Sequence, residues 1–202
     1  MAAAASLSFE RPRSVPPPLP VSLRLECQPF SSLTRELVRD LRNRLTNSDS
    51  RGDCKDDGVG AGSLMRGLID DANTHLYGNP DEWWVITVWP QGSQHKGPVA
   101  WCLLRPESCA CPTLRCAFYT ASAWRNRGIG ALLVNESLHL ARRLGYDRLC
   151  ASPWNARSRS FFKSAGFETI CAGGGGMSAL VEYDVPEELP ARPPWRCRQP
   201  EV

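Results

Sequence analysis

No apolar run in the 202 residues approaches the roughly 18–20 residues a helix needs to cross a bilayer, which argues against a helical membrane span. The run Ala2–Ala5 is too weakly apolar for the core of a secretory leader and has no basic flank ahead of it. Arg11, Arg13 and the serines suit an organelle transit peptide, but Glu10 and the prolines count against one, and a cytoplasmic protein is expected. Excess charge is also scarce. The 24 Lys+Arg against 21 Asp+Glu leave +3, too little to argue for a nucleic-acid partner. No histidine stands near the cluster Cys102, Cys109, Cys111 and Cys116. The spacing is not that of paired zinc knuckles either. No metal site is expected, and these cysteines, among 9 in the chain, read as buried free thiols.

What is present suffices for one α/β core with tails. Residues 1–20 are rich in Ala and Pro and read as disordered, as does the Pro/Arg-rich tail 188–202; the folded domain is expected over 21–187. Val21–Glu26 reads as a first strand. Leu33, Leu37, Val38, Leu41 and Leu45 have helical spacing, so a first helix is expected over Leu33–Leu45. Asn47–Gly62 is polar and glycine-rich, hence a long loop. A second helix follows, with Leu64, Met65, Leu68, Ile69, Ala72 and Leu76 as its buried stripe. Trp83–Trp89 and Val99–Leu104 form a strand pair across the turn Pro90–Gly97, and Thr113–Ala121 is the next strand. After a helix at Ile129–Leu144 come a short strand at Tyr146–Pro153, a helix at Ala156–Ala165, and strands at Phe167–Ala172 and Ala179–Val185.

Chemistry concentrates in Arg125-Asn126-Arg127-Gly128-Ile129-Gly130, which opens the helix Ile129–Leu144. A helix N-terminus offers unpaired N–H groups and about half a positive charge, so it attracts phosphate oxygens. Gly128 and Gly130 have no Cβ to keep an anion away, and Arg125 and Arg127 add charge-assisted donors. The helix buries Ile129, Leu132, Leu133, Leu140 and Leu144, widened by Val134, Leu138 and Ala141, while Asn135, His139, Arg142 and Arg143 face solvent. Gly145 stops it. The turn is not a P-loop, because no Gly-Lys-Ser/Thr follows Gly130. Nor does it fit a dinucleotide fingerprint, whose third glycine is replaced by Leu133. The plain alternative is a glycine turn ahead of an ordinary helix.

A second segment follows in order: Asn155-x-x-Ser158-x-x-Phe161-Phe162-x-x-x-Gly166-Phe167. Asn155 alone reads as an N-cap, and the phenylalanines as core. Taken together over residues 118–167, the two segments resemble the GCN5-related N-acetyltransferase (GNAT) superfamily. The resemblance implies a mixed, mostly antiparallel sheet of six to seven strands with helices on both faces, an α/β (α+β) fold. It also implies acetyl-CoA as acyl donor, lying in a cleft where the fourth and fifth strands part. The backbone of Phe118, Tyr119 and Thr120 would pair with the pantetheine arm, much as a peptide adds to a sheet. Arg125, Asn126, Arg127, Gly128, Ile129, Gly130 and Ala131 would hold the pyrophosphate, and Asn155 would meet the cofactor or an ordered water.

The catalytic pattern of the family is broken here. Its tyrosine, which protonates the departing thiolate, falls at Phe162. The glutamate of the ribosomal-protein acetyltransferase subgroup falls at Cys150. No catalytic residue is therefore assigned by analogy. Tyr183 and Glu182 on the last strand are candidates for proton handling, of which strand alternation lets only one face the cleft. Three readings stand: an N-acetyltransferase acting on a primary amine of a small molecule or protein, a catalytically impaired CoA-binding or regulatory module, and an interaction protein whose turn binds nothing. Asp49, Asp53, Asp56 and Asp57, against Arg51 and Lys55, would suit a cationic amine or merely solvate a loop. A monomer or homodimer is expected.

Overall fold

The computed structural model describes residues 22–50, 79–91, 97–107, 111–153, 155–171, 179–189 and 197–198. The expected second helix at 64–76 and the N-terminal segment lie outside these. Eight strands form one sheet: β1 (Leu23–Pro29), β2 (Trp84–Pro90), β3 (Ala100–Glu107), β4 (Thr113–Thr120), β5 (Arg148–Ala151), β6 (Glu168–Cys171), β7 (Leu180–Asp184) and the two-residue β8 (Cys197–Arg198). Their order is β6-β7-β5-β4-β3-β2-β1-β8. Only β4–β5 and β1–β8 are parallel. Three α-helices are described: α1 (Arg35–Ser50), α2 (Ile129–Leu144) and α3 (Ala156–Ser164).

Strand alternation divides the core. Val85, Trp101, Leu103, Ala117 and Tyr119 point to one face, where they pack with Phe30, Trp83 and Leu37, Val38 and Leu41 of α1. Their neighbours Ile86, Ala100, Cys102, Leu104, Leu114 and Cys116 point to the other, against Ile129, Leu133, Leu140 and Ala141 of α2 and Phe162 of α3. Helices on both faces of a mostly antiparallel sheet are therefore observed. Ile86, Leu104, Leu114 and Leu133 are fully enclosed, each contributing roughly 1.5–3 kcal/mol relative to exposure.

Several boundaries differ from expectation. The polar Asn47–Ser50 continues α1 instead of opening a loop; helical hydrogen bonding outlasts the apolar stripe. In α2 the bounds match, but Leu144 is 36% exposed while Glu136 and Ser137 are buried. Ser137 is accommodated because its hydroxyl donates to Leu133 O at 2.7 Å, satisfying the group locally. Cys197 and Arg198 of the expected tail pair with Leu25 and Glu26 at the edge of β1, where a strand with one free side accepts a short partner. Among the cysteines Cys102 and Cys116 are buried, but Cys111 is exposed, because it stands ahead of β4 and not within it.

Candidate functional site

The parting of β4 from β5 positions everything else. β4 pairs with β3 along all eight of its residues but with β5 only from Thr113 to Arg115. Ala121 N–H donates to Val99 O at 2.9 Å, so the odd-numbered residues of β4 turn their peptide groups toward β3. Cys116, Phe118 and Thr120 consequently turn theirs to the opposite edge, where β5 has left. Of the three expected pantetheine-binding residues, Phe118 and Thr120 therefore present backbone to the cleft. Tyr119 turns its backbone to β3 and its ring to the α1 face, 5.7 Å from the ring of Trp101. Thr120 O is engaged by Arg125 Nε at 2.9 Å.

That hydrogen bond ties the strand to the glycine turn. After a 3-10 turn at Ser122–Trp124, Asn126 and Gly128 both take left-handed backbone, with φ of 60° and 81°. Alternating backbone hands make a concavity of N–H groups suited to anions. Gly128 is the N-cap of α2 and has no capping side chain, so the first-turn N–H groups lack an intrahelical partner. Asn126, Arg127, Gly128 and Ala131 are exposed around this opening, whereas Ile129 buries its side chain in the core and offers backbone only. The Arg127 guanidinium lies over the Trp124 ring at 5.5 Å.

The two glycines are not equivalent. A Cβ at Gly128 would meet nothing within 4 Å, while one at Gly130 would lie 2.7 Å from Cε2 of Phe161. Openness to an anion, expected of both, fits Gly128; at Gly130 the missing Cβ makes room for α3. The sequence offered one hint, in the bulky Phe161–Phe162 pair that had to settle somewhere.

α3 closes the site from the other side. Asn155 Oδ1 accepts the Ser158 N–H at 2.7 Å, and Asn155 N–H donates to Ser158 Oγ at 3.0 Å. This reciprocal capping box makes Asn155 the N-cap. The rings of Phe118, Phe161 and Phe162 lie 5.2–6.2 Å apart, and the chain of rings continues through Phe167 to Tyr183. Phe162 is buried within it. These aromatics fill the α2/α3 face of the parting strands. The ring of Tyr183 covers Gly166, which puts Tyr183 on this filled face. Glu182 takes the other face, opposite Cys150 in register.

A charged group on the α1 face was not read from the sequence, although Arg105-x-Glu107 and Arg115 alternate as strand neighbours must. Glu107 bonds Arg115 Nε and lies 3.6 Å from Arg105, and Arg115 Nη1 donates to Ser152 Oγ at 2.9 Å. Burial opposes the Arg115 charge, but the bond to Glu107 and the surrounding thiols outweigh it and raise the guanidinium pKa. Farther along, Arg148 reaches Asp184 at 3.1 Å and Glu182 at 3.6 Å. Among the described residues no group of three His, Cys, Asp or Glu is arranged to hold a metal, and no helix is long and apolar enough to cross a membrane.

A sheet opened between its fourth and fifth strands, with a glycine turn and a helix N-terminus at the opening, defines an acetyltransferase-like α/β domain. Residues 58–167 match the profile of the acetyltransferase (GNAT) family, more than half of the chain, and the chain belongs to that family. Solved structures agree in fold. A protein assigned to the GNAT acetyltransferases from Desulfovibrio desulfuricans is 15% identical, with TM-score 0.59 over 82% of this chain and 100% of its own. An acyl-CoA N-acyltransferase from Pseudomonas aeruginosa is 18% identical, with TM-score 0.55 over 80% and 99%. YncA from Salmonella typhimurium, solved with acetyl-CoA, is 13% identical, with TM-score 0.51 over 81% and 95%. Comparison with curated protein sequences gives no match.

Proposed function

We propose that the protein is an N-acetyltransferase that moves an acetyl group from acetyl-CoA to a primary amine. The observation that carries this reading is the open edge of β4, with Phe118 and Thr120 turning peptide groups into it, directly ahead of the uncapped N-terminus of α2. A pantetheine arm would complete the edge as an added strand. Its pyrophosphate would meet Arg125–Ala131, where the N–H groups of Gly128, Ile129, Gly130 and Ala131 converge. The Phe118 N–H would then donate to the thioester carbonyl oxygen and stabilise the negative charge that grows there. The related YncA, solved with acetyl-CoA, supports the choice of cofactor.

Acceptor approach follows from packing. Phe118, Phe161 and Phe162 close the α2/α3 face, so the amine would come from the α1 face. Holding it against the thioester supplies much of the rate enhancement. Phe162 has no proton to give, so the departing thiolate would take one from the amine nitrogen or from water. The same residue favours a second reading, a CoA-binding module with impaired catalysis. Calorimetric titration with acetyl-CoA tests both: no heat at millimolar ligand removes them together. Release of free CoA with spermidine, lysine and a peptide bearing a free N-terminus then separates the enzyme from the module.

A further inference from the structure

We propose that Glu182 is the catalytic base that takes the proton from the acceptor ammonium, directly or through one water. The inference rests on the transferase reading above and names a residue for it. If the α2/α3 face is closed by phenylalanine rings, the ammonium must lose its proton on the α1 face, near the point where β5 leaves β4. Four other carboxylates of the sheet do not fit. Glu26 sits on β1 and is bound to Arg24 at 3.1 Å. Glu107 is held by Arg115 and Arg105 at the closed end of β4. Asp184 is 86% exposed, and Glu168 is exposed on the edge strand β6. Glu182 stands on β7 opposite Cys150, and Cys150 in turn pairs with Arg115, the last β4 residue before the strands part. Its side chain is only 23% exposed. Adjacent strands lie about 4.8 Å apart, so Glu182, two strands from β4, faces the mouth across the short, buried Cys150, a gap that one water would bridge.

The groups that face Glu182 are Arg148 and Cys150 from β5, Glu168 from β6 and, two residues on along β7, Asp184. Arg148 Nε is closer to Asp184 than its Nη1 is to Glu182, which leaves the Glu182 carboxylate oriented but not clamped. The ammonium gives one proton to Glu182 and attacks the acetyl carbon as a free amine. The C–N bond forms, the C–S bond breaks, and sulfur leaves with the electron pair. The second nitrogen proton goes to that thiolate, giving the amide and CoA thiol, and Glu182 returns its proton to solvent.

The test compares Glu182→Gln, Glu182→Asp and Tyr183→Phe with the wild type. Acetyl-CoA binding is measured first by calorimetry, then kcat/KM between pH 6 and 10 with spermidine, lysine and a peptide with a free N-terminus. Glu182→Gln should bind acetyl-CoA as the wild type does and lose about 100-fold in kcat at pH 7, within the usual range for a general base. With the peptide, whose α-amino group is already neutral at pH 10, the deficit should shrink at least tenfold by that pH. Glu182→Asp should recover part of the loss, and Tyr183→Phe should leave the profile unchanged. A wild-type profile retained in Glu182→Gln overturns the proposal while leaving the transferase standing, and so does a loss that is the same at every pH. Failure of the wild type to bind acetyl-CoA, or to acetylate any of the three amines, overturns both readings.

Discussion

Gly128 and Gly130 are two residues apart, and an alanine scan should separate them. At Gly130 an added methyl meets the ring of Phe161 at 2.7 Å. The ring must shift, and it packs against Phe118 and Phe162, so overpacking of about 1–3 kcal/mol is expected. The Tm of Gly130→Ala should fall by several degrees, and Phe161→Leu in the same chain should restore part of it, a coupling that a double-mutant cycle reads directly. At Gly128 there is empty space, and the cost of alanine is the φ of 81°, about 1–2 kcal/mol. Asparagine, which tolerates this region better, should be milder there; equal losses from Gly128→Asn and Gly128→Ala in thermal melts would contradict the backbone origin. Asn155 yields a third substitution. Its capping box with Ser158 predicts that Asn155→Ala loses about 0.5–2 kcal/mol while Asn155→Asp keeps most of the stability. Weakened acetyl-CoA binding in the aspartate variant, with the melt unchanged, would reveal a role for the amide beyond the cap.

Element by element, the sequence was legible where one physical signal dominates. Helical spacing from Ile129 onward and the stop at Gly145 gave the bounds of α2, and Gly145 does take left-handed backbone with φ of 79°. Strand cores were equally plain, but their ends moved by a few residues, as at β1, which runs on to Pro29. Hydrogen bonding to β2 continues there after the apolar alternation fades. What could not be read is anything that depends on register. Whether Tyr183 or Glu182 faces the α1 side of the sheet follows from the pairing of Cys150 with Glu182, and a slip of one residue would exchange them. The same holds for the backbone of Tyr119, grouped with Phe118 and Thr120 until the Ala121–Val99 bond separates odd from even. Gly130 was legible as a glycine that matters and illegible in its reason, because Phe161 is remote from it in sequence. The two-residue β8 carries no periodicity at all.

At the scale of the whole molecule, buried thiols tie stability to pH. Burial, only partly offset by Ser137, pushes the Cys102 thiol from 9.0 up to about 12. Burial raises Cys116 in the same direction, reinforced by Cys102 and Cys150. The folded chain thus holds protons that the unfolded chain releases first. The Cys102 contribution is complete below pH 9 and fades as pH climbs toward 12, by up to about 1.4 kcal/mol per pH unit, and Cys116 adds a decline of the same sign. Urea unfolding at pH 8, 9 and 10 under reducing conditions should show this decline, and Cys102→Ala should flatten it. An identical slope in the variant would assign the alkaline loss elsewhere.

The bare edge of β4 leaves the sheet unfinished in its middle, where most proteins are most complete. Under the proposed function, a metabolite would supply its last strand. Saturation at about 100 times Kd adds roughly 2.7 kcal/mol to folding, so the lifetime of the protein would follow the supply of its acyl donor. When that supply falls, the exposed peptide groups invite pairing with a second chain. Starved protein should therefore clump before it unfolds, and free CoA, which cannot donate an acetyl group, should protect it as well as acetyl-CoA does.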